Sequence, residues 1–69
     1  SEYVDPEDML GELIDDNKAC AKAMREAHKM CDDAEDVATA SLLETFIDET
    51  ERRVWFLFEA SRAADSSGH

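Results

Sequence analysis

Five consecutive apolar residues, Val54-Trp55-Phe56-Leu57-Phe58, close a long stretch whose pattern is helical. Upstream and through that run, Ala40, Leu43, Ile47, Thr50, Val54, Leu57 and Ser61 recur alternately three and four residues apart, which aligns them along one side of a helix. At about 100° per residue, however, five apolar side chains in a row point all round the helix axis. Leu42, Phe46, Trp55, Phe56 and Phe58 therefore lie off the principal stripe. Such a helix must be covered on more than one side, and the chain offers one other helix.

That other helix begins at Asp5-Pro6. Asp5 is placed to accept a backbone N–H as N-cap, Pro6 suits the first helical position, and Glu7 and Asp8 complement the positive end of the helix dipole. From Met9 the positions Leu10, Leu13, Ile14, Cys20, Ala21, Met24, Ala27, His28 and Cys31 keep the three-four spacing, with Asn17 in the one polar gap. Acidic residues fill the first half of this segment, and Lys18, Lys22, Arg25 and Lys29 the second, each sign matching its end of the dipole. Asp32-Asp33-Ala34-Glu35-Asp36 then breaks the pattern, and a short polar break between two long periodic segments is a helix-to-helix turn. Asp36 is expected to cap the second helix.

The expected architecture is thus all-α: an extended lead-in over 1–5, a helix over about 6–32, an acidic turn over about 32–36, a helix over about 36–63 and a flexible tail over 64–69. Two long helices joined by so short a turn form an antiparallel hairpin. With 69 residues the chain is one small domain, a size at which a single core seldom gives a wide stability margin without association. Its formal charge of -11, from 7 basic and 18 acidic residues, argues against DNA binding and against anionic membranes, both of which call for clustered Lys and Arg. No apolar run approaches the roughly 20 residues of a spanning helix, so a cytoplasmic protein is expected. Cys20 and Cys31 stand roughly 16 Å apart along one helix, beyond the ~7 Å reach of a disulfide, and are expected as small core residues.

Three constellations carry candidate chemistry. The carboxylates of the turn suit hard cations, although an EF-hand is excluded: counted from Asp32, Val37 stands where the loop needs Gly and Leu43 where it needs Glu. The bland reading is a solvated turn. Glu44, Asp48 and Glu51 share one helix face at i, i+4, i+7, and no Lys or Arg lies between residues 30 and 51 to neutralise them. They read either as an exposed face or as a metal-collecting surface. His28 and Cys31, at i, i+3, supply two zinc ligands where a structural site needs four. No Gly-rich phosphate loop is present, and the Glu-x-x-His signature of di-iron bundles is missing, since Arg25 precedes His28 by three.

The segments Pro6-Glu7-Asp8-Met9-Leu10, Met24-Arg25-Glu26-Ala27, the acidic turn, Asp36-Val37-Ala38-Thr39-Ala40-Ser41-Leu42-Leu43-Glu44 and Glu51-Arg52-Arg53-Val54-Trp55-Phe56-Leu57-Phe58-Glu59-Ala60 together resemble the C-terminal half of the Dps family. These are ferritin-like miniferritins that protect bacterial DNA in starved cells. The resemblance implies that the hairpin equals the last two helices of a four-helix bundle, covered by an N-terminal half or by further copies of the chain. Twelve such bundles would form a homo-oligomeric shell that oxidises ferrous iron and stores the mineral. It also implies that the ferroxidase ligands, two His on the first helix and an Asp and a Glu on the second, belong to the other half, so no catalytic residue is assigned here. By the same resemblance Asp36, Glu35 and Glu44 would border an acidic pore through which iron enters, with Ser41 standing where some members carry Asp. Asp48 and Glu51 would be lumen carboxylates that gather iron. The rival expectation is a self-associating helical-hairpin interaction module without iron chemistry.

Overall fold

The computed structural model describes the backbone of residues 5–67 and the side chains of residues 5–63. Two α-helices, α1 (Pro6–Asp33) and α2 (Val37–Ser67), pack against each other as a hairpin, with no strand among the described residues. The extended lead-in expected over residues 1–4 and the tail residues 68 and 69 lie outside the described residues. α2 continues four residues beyond the expected end at Ala63, because Ala64-Asp65-Ser66-Ser67 contains neither Gly nor Pro to stop it.

Asp5 caps α1 as its side chain foresees: its Oδ1 accepts from the Glu7 N–H at 3.5 Å, and its carbonyl accepts from the Met9 N–H at 2.9 Å. The other end of α1 departs from the expected dipole match. Its last turn holds Asp32 and Asp33 and no basic residue, and Lys29 answers only by reaching Asp33 at 3.7 Å. Hydrogen bonds do the closing instead. The Asp36 N–H donates to the Cys31 carbonyl at 2.8 Å and the Glu35 N–H to the Asp32 carbonyl at 3.0 Å, the paired bonds of a Schellman motif. The residue between them, Glu35, takes φ 61°, a left-handed conformation in which Gly is the usual occupant. Asp36 then begins α2 at once, its carbonyl accepting from the Ala40 N–H at 3.1 Å and its Oδ1 from the Thr39 N–H at 3.2 Å. One residue thus ends the first helix and starts the second.

Between the helices the buried residues are Ile14, Ala21, Ala40 and Thr50. Small side chains at three of these four positions let the helix axes come close. Leu43, Ile47, Val54, Leu57 and Ser61 are half-buried, so the whole expected stripe of α2 lies at or beside the seam. The hairpin is 12 Å in its thinnest dimension, the thickness of a single helix, so almost every side chain outside the seam has a wet side. Met9, Leu13 and Cys20, read from spacing as part of the α1 stripe, are exposed here because they fall to one side of the contact line. Both thiols are free, and Cys20 is a surface residue rather than the core residue expected.

Turning each helix by about 100° per residue from that line gives the hairpin two unlike faces. One carries Lys18, Lys22, Arg25 and Lys29 of α1 beside Glu44, Glu51 and Trp55 of α2. The other carries Met9, Leu13 and Cys20 of α1 beside Leu42, Phe46 and Phe56 of α2. Leu42, Phe46 and Phe56 keep 55%, 44% and 66% of their surface exposed.

Candidate functional site

Each carboxylate singled out from the sequence can be placed on this frame. Glu35 and Asp36 sit together at the tip of the hairpin, Glu35 exposed in its left-handed conformation and Asp36 engaged with Thr39. The side-chain and backbone hydrogen bonds from Thr39 hold the Asp36 carboxyl below its ordinary value of 3.8, since both favour the charged form, and the small opposing effect of burial does not cancel them.

Glu44, Asp48 and Glu51 share the polar face but do not converge on one point. Each meets its own partner. Glu44 Oε2 lies 2.8 Å from His28 Nε2, Asp48 Oδ2 lies 3.1 Å from Arg52 Nε, and the Glu51 carboxylate pairs with the Arg25 guanidinium. The expectation that nothing local neutralises this set is therefore corrected. A gap in Lys and Arg along α2 says nothing of α1, whose residues 25 and 28 the antiparallel register sets opposite 51 and 44. An open groove of about 360 Å³, lined by Arg25, His28, Glu44 and Ile47, runs over this contact.

His28 faces Glu44 across the hairpin, which takes its Nε2 away from the proposed pairing with half-buried Cys31. Sequence spacing also missed a third link between the helices. The Arg53 guanidinium donates to Asn17 Oδ1 at 3.2 Å, while Asn17 Nδ2 donates to the Leu13 carbonyl at 2.7 Å. Asn17 looked like a polar gap in an apolar stripe; it is one of the points where a side-chain hydrogen bond joins α1 to α2. Counting outward from residue 35 would have found the Asn17–Arg53 pair and come close to His28–Glu44, because residues at similar distances from the turn meet in a hairpin, whereas Arg25 reaches Glu51 along a diagonal.

Chemically, the arrangement is a helical hairpin with an acidic tip, a polar face whose acids are held by polar contacts within and across the helices, and an apolar face left open. It has the make-up of half a four-helix bundle. The family model for the Ferritin-like domain matches residues 1–62, and the chain belongs to that family. No curated protein and no solved structure matches it. Ferritin-like proteins generally bind iron and oligomerise. Among the described residues here, no group of three or more His, Cys, Asp and Glu side chains gathers around a point where a metal ion would sit. Nor, among those residues, is any helix long and apolar enough to cross a membrane.

Proposed function

We propose that this chain is the last helical pair of a Dps-like ferritin bundle, supplying scaffold and an acidic path for iron to a cytoplasmic, iron-oxidising and iron-storing shell of twelve bundles. The observation that carries the reading is the bare apolar face. A hairpin of the ferritin-like family, one helix thick, leaves Leu42, Phe46 and Phe56 in water, and exposed apolar patches of a few hundred Å² are ordinarily sites of association. A further helical pair laid on that face makes the four-helix bundle.

In this reading iron is cargo, and the oxidation belongs to ligands outside this hairpin. Glu35 and Asp36 at the tip would meet the ferrous ion first and Glu44 next, with Asp48 and Glu51 further along the same helix. Copies of the tip gathered round a symmetry axis would deepen the negative potential there. Glu44, Asp48 and Glu51 would each have to exchange a side-chain partner for the metal, so they rank behind the tip. That pairing favours one second reading, an interaction module without iron chemistry.

Loading the purified assembly with ferrous iron and then peroxide separates the two. The expected result is iron retained through gel filtration, with initial uptake slowed severalfold by Glu35→Gln combined with Asp36→Asn. Asn keeps the helix cap, so the change removes charge and leaves the turn in place. No retained iron, or uptake unchanged by the double variant, overturns the iron path.

A further inference from the structure

The carboxylates of the tip offer only oxygen, and oxygen ligands suit magnesium and calcium as well as ferrous iron. A path lined by them alone has little means of telling these ions apart. Imidazole prefers transition metals, and the one imidazole among the described residues is His28. α1 sets it against Glu44 of α2, eight residues and so about 12 Å along that helix from Asp36.

The geometry of this contact is close to that of two ligands on one ion. His28 Nε2 and Glu44 Oε2 lie 2.8 Å apart. Two ligands each bound at about 2.1 Å stand roughly 3.0 Å apart at a right angle and roughly 3.4 Å apart at the tetrahedral angle. A small opening therefore admits a divalent ion between the two atoms. A neutral imidazole carries one N–H, and with that proton on Nδ1 the Nε2 lone pair is available to the metal. The Glu44 side chain keeps 65% of its surface exposed and is free to swing, whereas that of His28 keeps 26% and is steadied by its surroundings. The open groove of about 360 Å³ over the pair leaves room for the ion's remaining waters and a way in from solvent. Arg25 is the positive residue of its wall, and the Glu51 carboxylate answers that charge. Glu44 also differs from the other two acids of its face. Asp48 and Glu51 are paired with guanidinium groups, which a metal must displace, while Glu44 is paired with a group that can itself bind the metal.

We propose that His28 and Glu44 form a two-ligand site for a divalent transition metal, and that His28 is where the acidic path begins to prefer ferrous iron over magnesium and calcium. This rests on the proposal that iron passes along this face, and it adds the residue that selects. Among the described residues no third His, Cys, Asp or Glu completes a group with the pair, so water fills the ion's other positions. Two protein ligands hold an ion loosely, as a transit site requires: binding must be favourable enough to enter and weak enough to leave. With one ligand from each helix, the site exists only in the folded hairpin.

Zinc, which has no redox chemistry, is the probe. In calorimetric titration of the purified assembly, His28→Gln and Glu44→Gln should each weaken by at least tenfold the binding of one zinc ion per copy of this chain. Cys31→Ser should leave that affinity within about threefold, and so should magnesium in about a hundredfold excess. Zinc binding unchanged by His28→Gln, or weakened as much by Cys31→Ser, overturns the site. Displacement of this zinc by magnesium overturns the selectivity. Iron uptake reads the other proposal separately. Uptake indifferent to the double variant of the tip, with zinc binding still dependent on His28, removes the path and leaves the site; uptake slowed by that variant, with zinc binding indifferent to His28, does the reverse.

Discussion

The two faces of the hairpin differ in how far the chain finishes them by itself. On the polar face Arg25 meets Glu51, His28 meets Glu44 and Arg52 meets Asp48, so each acid has a polar partner within the same molecule. On the apolar face Leu42, Phe46 and Phe56 have water. Water is an adequate partner for a carboxylate and a poor one for a phenyl ring, at about 25 cal/mol per Å² of apolar surface. The face with more visible interactions is accordingly the one that matters less to stability, and the face without them sets the need for a partner.

That contrast can be broken by substitution. Phe56→Ala should cost the assembled protein about 3 kcal/mol, measured by denaturant unfolding at fixed protein concentration; a loss below about 1 kcal/mol means that the face stays wet. At the tip, Glu35→Gly relieves a left-handed side-chain conformation and should raise stability by about 1 kcal/mol, visible as a higher midpoint with an unchanged slope. On the polar face Glu51→Gln should cost less than about 1 kcal/mol, because Arg25 and Glu51 are both largely exposed and the pair is screened by salt. A larger cost than that of Phe56→Ala would reverse the comparison.

The smallest effect concerns pH. The folded-state carboxyl of Asp36 lies below its ordinary value of 3.8, so it adds stability above that value and loses it as pH falls through the depressed one. Asp36→Asn keeps the cap without the titration and should flatten the stability profile below about pH 4. An unchanged acid limb would place that proton elsewhere.

Both helices, the turn between them and both caps were legible in residue types. Asp5 with Pro6 marks a helix start whatever the surroundings, and the three-four spacing from Ala40 to Ser61 marks a stripe. The site was less legible. The acids of α2 were visible, and so was Arg52 four residues from Asp48, but the partners of Glu44 and Glu51 lie sixteen and twenty-six residues away, at His28 and Arg25, and local spacing does not reach them. Cys20 was misplaced for a related reason: the three-four spacing defines a band wider than the line of contact, and only the packed hairpin shows which edge of the band is left outside.

By itself the sequence determined the helices, their ends, the acidic tip and the surplus of apolar surface, because each follows from propensities and periodicities that act over a few residues. Only the tertiary structure decided which carboxylates are neutralised, that Glu35 takes the left-handed position, and that Met9, Leu13 and Cys20 of one helix join Leu42, Phe46 and Phe56 of the other on a single open face. Those outcomes depend on the rotation and register of one helix against the other, which close packing along the seam of Ile14, Ala21, Ala40 and Thr50 selects.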